Sequence, residues 1–528
     1  MQQDASSIVG SSIGADVCIV GGGPAGLVVA AELAAAGVDV VVLEAGGRAY
    51  DRHHRSNLVK ALLDHARGAQ SLTRGATRGE PYYPLRMSRA RGLGGSLNAL
   101  LSHGLRARPL DPIDLGLRFG AQWPIPYQEL AEHLGAAELY AGLRRTEEDP
   151  IDWDPAAFSS ESSPAIVIAP FRHGVRSRVL RLVEEVAVAG VTRVVTNAVA
   201  TGFRTTAAGS IQAVEVAAPG GTTFTVTAGF YVLAAGGIDN PRLLLASRPV
   251  LFAMGAAADQ VGRRFMEHPH YVAGYLVPSS EDAFVEVQAR FGTEMENWVT
   301  AADEVVHAEG LLRVGLAAVP VHASSLSAGV PAFGELIRMA PYGPYEARAR
   351  LRQATAAARD SVQVVRAMAA RARAEGRTVF ALPVMSEQEP NQDSRIGLMS
   401  RRDRTGLPLP ELDWRVGERD FADVRRTIEL LAEEVERLGL GRIESLWDRG
   451  ADRPDVVTGG WHHMGTTAMS VTAETGVVDR DCRVHGLENL YVAGSSVFPT
   501  SGYANPTLTL LALAVRLGRH LGGVATAS

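Results

Sequence analysis

Asp16-Val17-Cys18-Ile19-Val20-Gly21-Gly22-Gly23-Pro24-Ala25-Gly26, running on through Glu44, is the stretch that decides the fold. Asp16 to Val20 is a short apolar strand and the glycine cluster is a turn. Leu27 to Ala36 has helical composition and stops at Gly37, and Val38 to Leu43 is a second strand ending in Glu44. Together they make a βαβ unit with G-x-G-x-x-G at its first turn. Gly21, Gly23 and Gly26 let backbone amides at a helix N-terminus approach a pyrophosphate that any side chain would obstruct. Glu44, eighteen positions beyond Gly26, suits ribose hydroxyls and argues against a 2′-phosphorylated nucleotide. A resident FAD fits this unit as well as NAD does, and the spacing does not separate the two.

The opposite end of the chain carries acid–base chemistry. Trp461-His462-His463-Met464-Gly465-Thr466-Thr467 is followed by Tyr503-Ala504-Asn505-Pro506-Thr507. An imidazole titrates near neutral pH and can take the proton of an alcohol, while a carboxamide can hold that alcohol's oxygen without changing charge. Asn505-Pro506 reads as an N-cap and first helical residue, opening the apolar run Leu508 to Leu517 as a helix whose N-terminus carries partial positive charge.

Composition narrows the classes. A chain of 528 residues with 46% hydrophobic content can bury a large core in two or more domains. A formal charge of −6 gives no electrostatic footprint for nucleic acid. Cys18 and Cys482 are too few and too isolated for a disulfide framework or a metal site, and read as two inert buried thiols. Residues 1 to 15 lack a basic, then apolar, leader, and no uninterrupted apolar stretch is long enough to span a bilayer, so a cytoplasmic protein without membrane contact is expected.

Five ordered segments resemble the glucose-methanol-choline (GMC) oxidoreductases, FAD enzymes that oxidise alcohols. Beside the two chain ends, Arg91-Gly92-Leu93-Gly94-Gly95-Ser96-Leu97-Asn98 resembles the loop that lies against the flavin and its pyrophosphate. Tyr231 to Gly237, continuing to Asn240-Pro241-Arg242, resembles the strand and turn that re-enter the nucleotide-binding sheet, and Val261-Gly262-Arg263 with Glu267-His268-Pro269 the segment that leaves it. Glu387 to Asn391, then Ser394-Arg395-Ile396, resembles a strand of the bacterial sugar-oxidising branch, and Leu490 to Ser496 the final flavin-contacting strand.

The resemblance implies an α/β fold: a Rossmann-like, doubly wound FAD-binding domain with an inserted α+β substrate domain on an antiparallel sheet. The expected division is 1–270 and 455–528 for the first and 271–454 for the second. Leu311 to Val321 and Val379 to Met385 would supply strands roofing the flavin, with a helix over Phe421 to Leu438 on the outer face. The family's H-x-x-G-T selects His462 as the base, with His463 facing elsewhere, and Asn505 follows 43 residues later at the family's usual separation. His462 is expected to take the hydroxyl proton as hydride leaves for flavin N5, with Asn505 orienting the oxygen. Gly21, Gly23, Gly26, Glu44, Arg91, Gly94, Gly95, Asn98, Ala200, Ala235, Gly494, Pro506 and Thr507 are the expected FAD contacts, and no metal is expected. Asn98 stands where pyranose-oxidase relatives carry the histidine that links covalently to FAD, so noncovalent FAD is expected.

The expected substrate is a sugar, glycoside or aminocyclitol-like alcohol, with oxygen or another acceptor reoxidising the flavin. A lyase of the same fold with no net redox reaction, and a flavin-binding structural protein, are the alternatives. The glycine- and proline-rich Gly329 to Pro344 reads as a loop that is either a lid or plain linkage, and the arginine-studded Tyr345 to Gly376 as a solvated helical face. His268, before Pro269, reads as a structural residue at a domain junction rather than a catalyst, and His54, His103 and His270 have no partner visible in sequence and read as structural.

Overall fold

A computed structural model of the chain describes all residues except 1, 9–11, 48–68, 87, 101–104, 144–150, 159–163, 175–190, 207–208, 293–296, 322–377, 446, 448–452, 455–456 and 528. His54, His103, the loop at 329–344 and the arginine-rich run at 345–376 therefore lie outside the described residues, as does the side chain of Asn98.

The strand Ser12–Val20 pairs in parallel with Val40–Leu43 on one side and Thr223–Leu233 on the other, with the helix Pro24–Ala35 as the crossover. Thr192–Thr196 and Gln2–Asp4 extend the sheet in parallel beyond Val40–Leu43, and Leu490–Val492 pairs in parallel with the end of Thr223–Leu233. Two antiparallel strands, Ile211–Ala217 and Val199–Thr205, complete eight among the described residues. Parallel strands covered on both faces need unbroken apolar runs, and all four residues of Val40–Leu43 are buried. The strands Ser12–Val20, Val40–Leu43, Thr223–Leu233 and Leu490–Val492 end on one rim, where open α/β sheets bind ligands.

The helix Thr507–Ala527 starts one residue later than the sequence suggested. Leu510 N–H donates to the Pro506 carbonyl at 2.9 Å, so Pro506 rather than Asn505 is the capping position. It runs ten residues past Leu517 and is, by length and composition, apolar enough to cross a bilayer, unlike any stretch the sequence reading found. Two-thirds of that stretch is buried, packed on Pro24–Ala35 and Tyr127–Ala141, and Arg516 reaches Glu129 at 2.7 Å and Asp481 at 2.8 Å. It is built as a core helix.

A second sheet, of nine strands among the described residues, pairs antiparallel throughout, with Pro269–Pro278 joined to Val379–Ser386 on one side and to the edge strand Gly441–Ser445 on the other. Val314–Leu316 and Val319–Val321 both pair with Val379–Ser386, as the expected roof requires. The sheet also takes Ala156–Ala157 and Ile166–Pro170, which precede residue 271, and Thr458–Gly459, which follows 454. The helix Glu418–Arg437 lies on this sheet, burying Phe421, Val424, Ile428, Leu431 and Val435 at alternating steps of three and four. A three-stranded sheet joins Arg395–Arg402 and Pro408–Trp414 to Ala76–Gly79. Glu387 to Asn391, expected as a strand, is instead the irregular segment leaving Val379–Ser386. Cys18 and Cys482 are free and buried, and burial pushes both thiols up.

Candidate active site

The glycine turn divides its labour. A Cβ on Gly26 would sit 2.1 Å from the Gly21 carbonyl oxygen, and one on Gly21, where φ is +117°, would sit 2.4 Å from that of Ala234. These two glycines let helix and strands close together. Gly23 is different, because a Cβ there meets nothing nearer than 4.0 Å. It caps Pro24–Ala35 with no side-chain hydrogen bond, so the amides of the first turn face open space. That is the cradle a diphosphate needs.

Glu44 ends its strand as expected, but its carboxylate also organises backbone. Oε2 accepts from Gly22 N at 2.9 Å, and Oε1 accepts from Gly46 N at 2.7 Å and Gly92 N at 2.9 Å. The acid thereby fastens the loop of Arg91, Gly94 and Gly95 to the glycine turn, with Gly94 N donating to the Gly22 carbonyl at 2.8 Å. A Cβ on Gly95 would lie 2.9 Å from Gly23 Cα. Arg91 (3.1 Å) and Arg242 (3.2 Å) share Asp239 Oδ1, and Arg89 meets Oδ2 at 3.0 Å. Asp239 is held well below the usual carboxylate range by these cations, against its burial. Arg89 leaves Nη1 and Nη2 buried without hydrogen-bond partners. Three guanidiniums on one carboxylate leave positive charge beside the loop that crosses the cradle, and the residues present fit a dinucleotide diphosphate.

Two other expected contacts, Ala235 and Gly494, lie just past the ends of strands on the same rim. Ala235 N donates to Asn240 Oδ1 at 2.7 Å at the start of the helix Gly236–Ala246, and Gly494, at φ +114°, follows the strand Leu490–Val492. Pro506 and Thr507 open the C-terminal helix. Ala200 is buried in the edge strand Val199–Thr205, just beyond Ala198, whose amide donates to the Glu44 carbonyl at 2.9 Å. Asn98 falls in the short helix Gly95–Leu100, its side chain outside the description.

His462 and Asn505 come together across those 43 residues: Asn505 Nδ2 lies 3.1 Å from His462 Nε2, and both side chains are partly accessible. His462 is placed by its neighbours in the chain. Thr458–Gly459 pairs with Pro269 and His270, Met464 pairs with Met266, and Trp461 turns the chain between them at φ +64°. Gly460 must be glycine, since its Cβ would lie 2.7 Å from His270 Nε2 and 2.9 Å from His462 Nδ1. Asn505 is carried by a loop whose Tyr503 is buried over the Arg313 guanidinium, 5.3 Å from the ring centre. Thr500 anchors the same loop, accepting from Trp123 Nε1 at 2.7 Å.

Sequence reading missed what lies behind this pair. Glu267 is fully buried, and its Oε1 accepts the amides of His462 at 2.7 Å and His268 at 3.0 Å while Oε2 accepts from Tyr82 at 2.5 Å. Burial pushes its carboxyl up to about 7 against the pull of those donors. His463 faces away from Asn505, as register implied, and its Nε2 meets Tyr82 Oη at 2.9 Å. His268, read as structural, has Nδ1 2.9 Å from His462 Nδ1, and the His270 ring centre lies 6.1 Å from that of His462. Only the segment Glu267-His268-Pro269 itself was a signal, since it is one of those shared with the family. Burial first, then His268, His270, His463 and Arg106, holds the His462 imidazole well below its ordinary range, so it is neutral at physiological pH.

Comparison with known proteins agrees with this arrangement. Residues 390–514 match a family model described as GMC oxidoreductase, and residues 14–67 one described as an FAD binding domain. A C-glycoside 3-oxidase of Microbacterium trichothecenolyticum is 38% identical over 24% of this chain and 23% of its own length. The fructose dehydrogenase large subunit of Gluconobacter japonicus is 26% identical over 61% and 53%. The matches thus span between a quarter and about half of these relatives. A crystal structure of pyridoxine 4-oxidase superposes with a TM-score of 0.56 at 18% identity, covering 96% of this chain and 99% of that one, which speaks for the fold. FAD is the dinucleotide this cradle serves, and over residues 390–514 the chain carries the domain of the GMC oxidoreductases.

Proposed function

We propose that the protein oxidises an alcohol of a sugar, glycoside or aminocyclitol-like molecule to a carbonyl, using noncovalently bound FAD. The observation that carries this reading is the 3.1 Å approach of Asn505 Nδ2 to His462 Nε2, with both groups partly accessible and the imidazole neutral. An alcohol hydroxyl entering between them meets a proton acceptor on one side and a hydrogen-bond donor on the other. The O–H proton passes to His462 Nε2, and Asn505 holds the oxygen as it becomes a carbonyl. Bound FAD would take the carbinol hydrogen with its electron pair.

Support for the substrate class comes from the two relatives, one named for a C-glycoside and the other for fructose. The noncovalent assignment rests on Asn98, an amide that cannot form the histidyl link. Anaerobic addition of a panel of hexoses, C-glycosides and aminoglycosides to the flavin-loaded enzyme tests the reading. At least one should bleach the oxidised-flavin absorbance. Bleaching by simple primary alcohols alone removes the sugar assignment, and cleavage of a substrate without bleaching makes the enzyme a lyase. Acid precipitation should leave the yellow chromophore in the supernatant, and colour in the pellet would mean a covalent link.

A further inference from the structure

His268 and His462 face one another Nδ1 to Nδ1 at 2.9 Å, with their rings inclined at 72°. Two imidazole nitrogens at that distance must share one proton, since two lone pairs or two N–H groups would repel. The outer nitrogens decide who donates. His462 Nε2 receives the Asn505 amide, which requires a lone pair there and places the His462 proton on Nδ1. The backbone of Ser501 and Gly502 lies within reach of the His268 imidazole, and with Nδ1 turned to His462 the buried Nε2, which makes no well-formed hydrogen bond, is the nitrogen left to face their carbonyls. Those oxygens favour N–H at Nε2 and a lone pair at Nδ1. Both ends therefore give one direction, His462 Nδ1–H donating to His268 Nδ1. The reverse direction would turn the Asn505 oxygen towards Nε2–H and point the His268 Nε2 lone pair at carbonyl oxygens.

We propose that His268 is a positioning residue that fixes His462 in its Nδ1–H tautomer and so aims the Nε2 lone pair at the substrate hydroxyl. The proposal rests on His462 being the base. In turnover the substrate O–H bond breaks, an N–H bond forms at His462 Nε2, and the resulting imidazolium keeps donating from Nδ1 to His268. Bound FAD would take the carbinol hydrogen together with the C–H bonding electrons. A neutral imidazole does here what a carboxylate does in the serine hydrolase triad, where the third member holds the base in one tautomer. The difference has a consequence. Burial first, then the neighbouring His268, His270, His463 and Arg106, holds the ring down, and the Glu267 carboxyl nearby is engaged by backbone amides, so His462 stays unprotonated until the pH falls well below the usual histidine range.

The tautomer can be read without a substrate. In flavin-loaded protein labelled with ¹⁵N-histidine, long-range ¹H–¹⁵N correlation at pH 7.5 should show the His462 signals, identified by their loss in His462→Ala, with Nδ1 protonated and Nε2 not. His268→Asn, which leaves an oxygen near the Nδ1 position, should preserve that pattern. His268→Leu should give a mixed or reversed tautomer and slow flavin reduction by any sugar that bleaches the wild type by at least about tenfold. A wild-type His462 protonated at Nε2 overturns the proposal, even if the leucine variant fails to fold. So does an unchanged tautomer in a folded, flavin-loaded His268→Leu protein. If His462→Ala keeps its turnover, the base reading fails instead, whichever tautomer the spectrum shows.

Discussion

Glu267 shows how much of this site depends on one residue that touches no substrate. Its carboxylate is the acceptor for the backbone amides of both His462 and His268, and it terminates the chain from His463 through Tyr82. Removing it leaves the amides of His462 and His268 without their acceptor and the Tyr82 hydroxyl with His463 alone, at about 1–3 kcal/mol for each bond lost. Glu267→Leu should therefore lower stability by roughly 3 kcal/mol or more, whereas Glu267→Gln, which keeps an oxygen for the amides, should lose much less. Chemical denaturation of the two variants checks the order, and equal losses would mean that the amides are satisfied some other way. His462 was legible because H-x-x-G-T fixes its register. Glu267 and His268 were not, since their partner lies 194 or 195 residues away and nothing local marks the pairing.

At the scale of the element, the βαβ unit was the most readable part of the chain, because its signals are local: an apolar strand, a glycine turn, a helix, an acid. Sequence could not separate glycines that serve packing from glycines that serve the cofactor. A Cβ would collide with backbone at Gly26, which puts it in the first kind, and would meet nothing nearer than 4.0 Å at Gly23, which makes it the candidate for the second. Gly26→Ala should lower the melting temperature markedly and lose flavin with it, as overpacking against a backbone carbonyl costs about 1–3 kcal/mol. Gly23→Ala should fold with little change in melting temperature yet bind flavin more weakly. Thermal melting and flavin content, measured together, distinguish the two, and parallel losses in both variants would contradict the division. The strands Ala156–Ala157 and Ile166–Pro170 were missed for a related reason. They are short, and the strand that ties them to the rest of the second sheet, Asn297–Ala301, comes much later in the chain.

Across the whole molecule, two sets of buried groups pull stability in opposite directions with pH. Asp114, Glu267 and Asp420 are each pushed up by burial to about 7, so the fold holds protons that the unfolded chain releases above about pH 4. Their contribution is complete below that pH and lost as it rises through about 7. His268 and His463 are pushed down by burial to about 3 and His270 to about 4, so the fold refuses protons that the unfolded chain accepts, three such groups against the three carboxyls. Their contribution is complete above about pH 6.5 and lost as the pH falls towards 3. Each group contributes a slope of about 1.4 kcal/mol per pH unit, and between about pH 4.5 and 6.5 the slopes oppose. The melting temperature should vary little across that window and fall steeply below about pH 4, where the histidines and the depressed Asp239 carboxyl both still titrate differently. A steady climb from pH 4.5 to 8 would contradict this balance.

The fold gathers its site from both ends of the chain, the cradle from residues before 100 and the acid–base pair from residues after 460, and the account stands on what that pair does. The most direct test is the rate of flavin reduction in anaerobic single-turnover mixing of wild type and His462→Ala, each loaded with FAD, with a sugar that bleaches the wild type. The alanine variant should retain its flavin and be reduced about 10²- to 10⁴-fold more slowly. Reduction at the wild-type rate would show that His462 is not the base.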